Sequence, residues 1–266
     1  MPTSTSPFRP GLFVLFFIVA LGGILMNWAI VSKRPDLAWL VSLVTIGASI
    51  AYCGSYCVGT WKGIFIDRRN VMSLSRLQMT CWTVVVTSAL LSIAVWRIWF
   101  GSSPALDVNV PPELWILMGT ATTSAVGASL VLNTKANSGE PDPEQLERTK
   151  NSLAAQGDDP ANIGNHGVVL INKDMAMARW TDIITGDETG NAAHLDLGKV
   201  QMLLFTVVSV VIYCICIWNT LHQASGATAK AIEGLPMLSQ TILALIGISH
   251  AGYLTAKAAG SSELTK

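Results

Sequence analysis

The sequence predicts an all-α membrane protein with six transmembrane helices, two pairs of which repeat one helix hairpin. Hydrophobic residues make up 51% of the chain and charged residues only 13%, whereas about 25% of an average soluble domain is charged. A transmembrane helix needs ~20 apolar residues to cross ~30 Å of hydrocarbon. Six apolar runs approach this length: 11–32, 37–60, 77–99, 112–134, 200–221 and 235–257.

An internal repeat is the third observation. Residues 73–85 (SLSRLQMTCWTVV) align without gaps with residues 196–208 (DLGKVQMLLFTVV). Arg76 and Lys199 conserve a positive charge at one aligned position. The identical pairs are Leu74/Leu197, Gln78/Gln201, Met79/Met202, Thr83/Thr206, Val84/Val207 and Val85/Val208. Each stretch opens an apolar helix, which a polar turn joins to a second apolar helix, so we predict that helices 3–4 and 5–6 are two parallel copies of one hairpin.

The apolar runs and the polar stretches between them divide the chain into four segments. Since lipid cannot satisfy backbone polar groups, the runs should be helices. The segments are two N-terminal transmembrane helices (1–60), the first hairpin unit (61–134), a connecting loop (135–199) and the second hairpin unit (200–266).

Basic residues predict the orientation in the membrane. The connection 61–76 carries Lys62, Arg68, Arg69 and Arg76 against a single acid, while the connection 100–111 has no lysine or arginine. The positive-inside rule therefore places 61–76 in the cytoplasm. With six spans, the 135–199 loop and both termini are cytoplasmic as well.

The 135–199 loop changes character along its length. Its first part, 136–167, is rich in Gly, Pro, Asn, Asp and Glu, and it predicts a mobile loop with a short helix over 143–156. In its second part, apolar residues at helical spacing predict a helix over 172–184 that lies at the membrane interface or packs under the helix bundle. We interpret the acidic residues here as a solvated face: Asp182, Asp187, Glu188 and Asp196.

Two polar features recur at the openings of the third and fifth helices. Ser75-x-x-Gln78 fits a capping box, and Asp196 is a favourable N-cap residue. Gln78 and Gln201 lie one turn into their helices, near the predicted cytoplasmic interface. A structural bond to a neighbouring helix or subunit is favoured over a ligand contact for this pair.

The stretch 66–79 (IDRRNVMSLSRLQM) resembles a largely uncharacterised family of bacterial multi-pass inner-membrane proteins. Residues 196–202, 243–249 and 251–254 are similar to the same family, so the resemblance covers roughly 60–134 and 176–257. Where the family pattern suggests Gly-Ile-Ser, the first unit has Gly-Thr-Ala from Gly119. The resemblance implies a duplicated hairpin and a bacterial inner membrane, and it implies no particular activity.

Small and polar residues mark the second helix of each hairpin. Rows of small residues usually form helix contacts, which is the favoured interpretation for any single position, but narrow polar helices also line pores. His250 is a functional candidate because a titratable group inside a span is rare, although a simple bond to a neighbouring helix is the favoured interpretation. The candidate pore or helix-contact residues are Gly119, Thr122, Thr123, Ser124, Gly127, Gln240, Gly247, Ser249 and His250.

Two functions remain open from the sequence. We slightly favour a homo-oligomeric channel for ions or small solutes, and the alternative is a membrane scaffold or sensor that binds a cytoplasmic protein through 135–199. The chain lacks catalytic motifs, so no enzyme is expected. We expect no cofactor or metal. The histidines lack metal-ligand spacing, and Cys53 and Cys57, which share a helix face, have no nearby histidine or carboxylate to complete a site. The zero net charge gives no nucleic-acid footprint, and the lipid bilayer is an expected partner.

Overall fold

The computed structural model describes residues 10–102, 104–225 and 232–259. Within these residues the chain forms seven α-helices and one antiparallel β-hairpin. The predicted cytoplasmic termini lie outside the described residues. The helices are α1 (Pro10–Val31), α2 (Pro35–Val58), α3 (Leu74–Trp99), α4 (Pro112–Ala136), α5 (Pro143–Ala155), α6 (Leu197–Gln223) and α7 (Gln240–Ala258); the strands are β1 (Ile163–His166) and β2 (Val169–Asn172).

Four of these helices are long and apolar enough to cross a membrane: α2, α3, α4 and α6. They are the helices expected of a membrane-embedded protein. In α1, the described apolar stretch Phe16–Val31 is shorter, and α7 is not among the four. The arrangement with six spans remains a prediction.

The described residues divide into two compact units. The first unit comprises Met1–Ile64, Val84–Asn109 and Cys216–Leu235, and the second comprises Phe65–Thr83, Val110–Ile215 and Pro236–Lys266. Helices α3 and α6 each contribute one part to each unit.

Polar side chains join the helices of the first unit. The fully buried Asn27 of α1 donates to Ser42 Oγ of α2 at 2.6 Å and to Ser92 Oγ of α3 at 2.9 Å. Trp39 Nε1 donates to Ser88 Oγ at 3.1 Å. The hydrophobic effect does not drive apolar helices together in lipid. Packing and interhelical hydrogen bonds of this kind stabilise their association instead.

In the second unit, Gln78 is buried and donates from Nε2 to Thr206 Oγ1, which joins α3 to α6. This bond is of the structural kind that the sequence analysis favours for Gln78. The predicted capping box is wrong, because α3 begins at Leu74 and Ser75 already lies inside the helix. Asp196 does cap α6, since its Oδ1 accepts a hydrogen bond from Lys199 N at 3.1 Å.

Residues 137–196, which we call the head, follow α4 and precede α6. The short helix predicted over 143–156 is confirmed as α5, an amphipathic helix that buries Thr149 and Leu153. The rest of the predicted loop is more regular than expected, because 163–172 pair as the β1–β2 hairpin. Leu153 packs there against Ile163 and Leu170.

The helix predicted over 172–184 is wrong. These residues form two short 3-10 helices, Met175–Met177 and Trp180–Ile183, separated by extended backbone at Arg179. Aspartate side chains explain the interruption, because they bond backbone N–H groups that a continuous helix would use. Asp174 Oδ1 accepts from Ala176 N, and Asp182 Oδ2 accepts from Arg179 N.

Gly167 fixes the head against the end of α4. It occupies the β1–β2 turn at a φ of +54°, and a Cβ at this position would overlap the main chain of Ala136. We expect Gly167→Ala to loosen the hairpin from α4, because the side chain meets both a strained backbone and a steric clash. The loss should exceed about 1 kcal/mol and should appear as faster limited proteolysis of the head.

Gly157→Ala is the matched control for this prediction. Gly157 also has a positive φ, +95°, but no atom lies within 4 Å of a Cβ built there. The control therefore carries the backbone strain without the clash. Equal proteolysis rates for the two variants would show that contact between Gly167 and α4 is unimportant.

Candidate functional site

A buried carboxylate that forms ion pairs with three basic side chains is the most unusual feature of the second unit. Asp187 is 8% exposed, and its Oδ1 lies 2.7 Å from Arg69 Nη1 and 2.9 Å from Lys199 Nζ. Its Oδ2 lies 2.5 Å from Lys257 Nζ. We call these four residues, together with Asp67, the Asp187 cluster. A buried ion needs opposite charges and hydrogen bonds to offset the loss of water, and Asp187 has both.

Each cation of the cluster has further partners. Arg69 binds Asp67 through Nε at 2.9 Å and through Nη2 at 2.8 Å. Lys199 also donates to the carbonyl oxygen of Thr185 at 2.5 Å. Lys257 donates to the hydroxyl of Tyr253 at 2.9 Å and lies over its ring. The cluster is therefore a satisfied network that fixes every member's position.

The elements of the second unit explain why these charges meet. Arg69 lies in the loop before α3, Lys199 in the first turn of α6 and Lys257 in the last turn of α7. Asn70 adopts a left-handed φ of +60°, which this residue type tolerates, and its side chain donates to Asn172 O at 2.7 Å. This bond docks the loop on β2 of the head.

The chain takes the same turn before α3 and before α6. A 3-10 helix begins at a tryptophan in both places, Trp61–Phe65 and Trp180–Ile183. A single antiparallel bridge then closes a loop, between Ile66 and Met72 in one case and Thr185 and Leu195 in the other.

The residue before each helix completes the turn. Ser73 N donates to Phe65 O at 2.8 Å, and Asp196 N donates to Ile184 O at 2.8 Å. Ser73 and Asp196 are the first aligned positions of the two sequence stretches. The local backbone thus supports extending the alignment upstream to the tryptophans, which the sequence analysis missed.

The two loops closed by these bridges carry opposite charges. The loop 67–71 contains Arg68 and Arg69, whereas the longer loop 186–194 contains Asp187 and Glu188. Arg69 and Asp187 pair directly. Within the Asp187 cluster, this pair is a contact between the loop before α3 and the loop before α6.

Electrostatics favour the charged form of Asp187. Burial alone raises the pKa of a carboxyl group, but Arg69, Lys199 and Lys257 outweigh this effect and hold the pKa of Asp187 well below its ordinary value. The carboxylate is therefore ionised throughout the physiological pH range.

A second ion pair ties the same loop to α4. Glu188 Oε1 lies 2.6 Å from Lys135 Nζ in the last turn of α4, and both side chains are largely buried. The helices that end each predicted hairpin, α4 and α7, thus finish on lysines that bind neighbouring acids. The interpretation of Asp187 and Glu188 as a solvated face is wrong, because both are buried and paired.

A small polar cavity of about 60 Å³ adjoins the cluster. Arg69, Arg179, Asp158, Asp182 and Asp187 contribute its charged lining. Arg179 Nη2 binds Asp158 Oδ2 at 2.5 Å. Burial raises the pKa of both Asp158 and Asp182. This volume accommodates a few water molecules beside the cluster.

The sequence-predicted candidates of α4 and α7 differ in how far they are buried. Ser124, Ser249 and His250 are buried, and Ser124 Oγ, Ser249 Oγ and His250 Nδ1 have no hydrogen-bond partner among the described residues. Gly127 packs against the Leu254 side chain of α7. The exposed candidates are Gly119, Thr122, Thr123 and Gln240, and Gly247 is half-buried.

Two further glutamines of the sequence analysis, Gln240 and Gln201, lie in different environments. Gln240 Nε2 donates to Glu113 Oε1 at 2.9 Å, so it joins α7 to the start of α4. Gln201 is exposed, whereas its aligned partner Gln78 is buried. The two aligned stretches therefore use the same amide in different environments.

The arrangement can hold the head in a fixed position relative to α4, α6 and α7 of the second unit. Opposite charges distributed over four chain segments resist displacement of any one of them, because separation would leave a buried charge unpaired. No family model, curated protein or solved structure matches this chain.

We expect Asp187→Asn to destabilise the second unit by about 3–5 kcal/mol, because it leaves the buried Lys199 and Lys257 without an anion and Arg69 with Asp67 alone. Thermal unfolding in detergent and limited proteolysis of the head measure this loss. Glu140→Gln, which neutralises an exposed acid of the head, is the control and should change neither. Wild-type protease resistance in the Asp187→Asn variant would contradict the structural role of the cluster.

The cluster also predicts a pH dependence. Since the pKa of Asp187 is depressed in the folded state, its stabilisation is fully present above the unfolded value of about 3.9 and is lost as the pH falls through the folded value. The raised pKa values of Asp158 and Asp182 act in the opposite direction.

Comparison with Asp187→Asn isolates the contribution of Asp187. The difference in unfolding free energy between wild type and variant should be constant from pH 8 to about pH 5 and should shrink below about pH 4. A difference that persists unchanged at pH 2 would show that the Asp187 charge does not provide the stabilisation.

Proposed function

We propose that the protein is a membrane-embedded scaffold whose head binds a basic protein partner at the cytoplasmic face. The observation that carries this proposal is the buried Asp187 cluster, which ties the head to the first turn of α6 and the last turn of α7. A partner bound to the head is thereby held at a fixed position on the helices of the second unit.

The coupling between head and helices supports a scaffold or sensor. Hydrogen bonds and ion pairs attach the 186–194 loop to α4, α6 and α7. A tethered but independent domain would not need buried charges at its attachment. Buried pairs give a specific geometry at a cost in desolvation, which suits an element that transmits a position.

The outer surface of the head supports a basic partner. Its exposed acidic residues outnumber its exposed arginines and lysines, which are Arg148 and Lys173. An acidic surface attracts basic proteins and raises their association rate. The exposed acids are Glu140, Asp142, Glu144, Glu147, Asp159 and Asp174.

Basic residues support a cytoplasmic head. The loop 67–71 belongs to the basic connection 61–76, which the positive-inside rule assigns to the cytoplasm. Because Arg69 of this loop contacts Asp187 of the head, both lie on one side of the membrane. A bacterial inner membrane is the location that we propose for the protein.

A homo-oligomeric channel is the second candidate, and a separate observation favours it. Ser124, Ser249 and His250 bury polar atoms in α4 and α7 without a partner among the described residues. Leaving such a group unsatisfied costs about 1–3 kcal/mol. Water or a passing solute would satisfy these atoms, and the exposed Thr122 and Thr123 of α4 could line a path between subunits.

Charge reversal on the head tests the scaffold. We expect Glu140→Lys with Glu147→Lys to reduce partner crosslinking from a photoreactive residue on α5 by about tenfold at low salt, because the acidic surface is weakened. The measurement uses the full chain in native membranes.

The control adds the same number of lysines without removing an acid, through Asn151→Lys with Ala155→Lys on exposed positions of α5. Crosslinks that survive the reversal, or that fall equally in the control, would contradict an acidic docking surface.

Solute flux tests the channel. If the buried polar atoms line a path, His250→Leu with Ser249→Ala should abolish ion flux through reconstituted protein, while Thr255→Ala on the exposed side of α7 should leave it unchanged. Wild-type liposomes that pass no ion or small solute between pH 5 and 8 would exclude the channel under those conditions.

A further inference from the structure

Two arginines near the start of α3 differ from the other cations around them. Within the described part of the second unit, most basic residues form ion pairs: Arg69, Lys135, Arg148, Lys150, Arg179, Lys199 and Lys257. Arg68, Arg76 and Lys173 are the described basic residues of this unit that have no ion pair. Arg68 and Arg76 flank the start of α3.

The position of Arg76 is fixed by a single bond. Its Nη1 donates to Ile66 O at 2.8 Å, which holds the guanidinium against the loop before α3. A guanidinium carries five N–H donors, so most of its donors remain for another acceptor. A cation in the first turn of a helix also faces the positive end of the helix dipole, an arrangement that a nearby anion would relieve.

The aligned position in the second stretch shows which partner is missing. Arg76 aligns with Lys199, and both donate to a main-chain carbonyl ahead of their helix, Ile66 O and Thr185 O. Lys199 also binds the carboxylate of Asp187. Among the described residues, Arg76 has the equivalent carbonyl contact and no carboxylate partner, so its remaining donors are open to an anion.

The depth of Arg76 identifies that anion. Helix α3 is long and apolar enough to span the membrane, and Arg76 lies in its first turn. The rings of Phe65 and Trp180 pair nearby at 5.9 Å, and Trp180 is 41% exposed, as suits an aromatic residue at the lipid–water interface. At this level the abundant anions are the phosphates of anionic phospholipids.

We propose that Arg76, assisted by Arg68 of the adjoining loop, binds the headgroup phosphate of an anionic phospholipid. Planar guanidinium groups match phosphate oxygens in pairs, which a lysine cannot do equally well. The lipid takes the place at the start of α3 that Asp187 takes at the start of α6. This site is independent of the partner surface on the head.

Lipid binding to the purified full chain tests the proposal. Native mass spectrometry in detergent compares retention of phosphatidylglycerol with retention of phosphatidylcholine. We expect the wild type to prefer phosphatidylglycerol by about tenfold, and we expect Arg76→Gln to lose most of that preference because a phosphate contact is removed. Arg68→Gln should have a smaller effect in the same direction.

Two further variants keep the result interpretable. Arg76→Lys preserves the charge without the planar fork and should retain an intermediate preference, while Lys173→Gln removes an unpaired cation of the head and should retain the wild-type preference. Thermal unfolding without added lipid verifies that each variant is folded.

Several outcomes would overturn the proposal. An unchanged preference in Arg76→Gln, or equal retention of the two lipids by the wild type, would exclude a phosphatidylglycerol site at Arg76. Displacement of the lipid by millimolar inorganic phosphate would assign the site to free phosphate instead. An equal loss of preference in Lys173→Gln would show a general charge effect.

Discussion

The structure of the second unit depends on neutralising Asp187. Asp187 is only 8% exposed, and burying its charge without partners would cost a prohibitive amount of free energy. The three basic side chains that neutralise it come from three separate elements. Each cation would in turn be costly to bury without Asp187. The cluster can therefore form only when the loop before α3, the head and the ends of α6 and α7 are all in place, which makes it a condition for assembling the unit.

The two aligned stretches have similar backbones but make different contacts around the Asp187 cluster. Both take a 3-10 helix, a bridge and a helix start in the same order, and both place a basic residue against a carbonyl ahead of the helix. The second stretch is preceded by a longer acidic loop whose carboxylates form buried ion pairs with lysines. The first has a short basic loop, with Arg69 directed to Asp187 and Arg76 left with unused donors. We propose that a duplicated unit diverged in this way, one copy holding the head and the other contacting lipid.

Features that depend on local sequence could be predicted. Apolar runs correctly predicted the helices that are long enough to span a membrane, and the Asp196 cap and the α5 helix follow from residues within a few positions of each other. The failure over 172–184 has a local cause that periodicity does not register. Apolar residues there have helical spacing, but Asp174 and Asp182 bond backbone groups and divide the segment.

The Asp187 cluster could not be predicted from composition, because its members are distant in sequence. Asp187 is 118 positions from Arg69 and 70 from Lys257. In a single sequence, a buried acid looks the same as a solvated one. The available signal was the opposite charge of the two aligned loops, Arg68–Arg69 against Asp187–Glu188, which becomes visible once the alignment is extended upstream to Trp61 and Trp180.

The buried polar atoms of α4 and α7 also bear on the proposed scaffold. Ser124 Oγ, Ser249 Oγ and His250 Nδ1 lie in the helices whose last turns carry Lys135 and Lys257. A purely structural helix pair would be more stable with apolar side chains at those positions. In the proposed scaffold, polar groups that exchange partners would let α4 and α7 shift, and the ion pairs would carry that shift to the head. The hydroxyls, the imidazole and the ion pairs would then serve the proposed scaffold together, whereas a channel would use the same polar atoms to line a path.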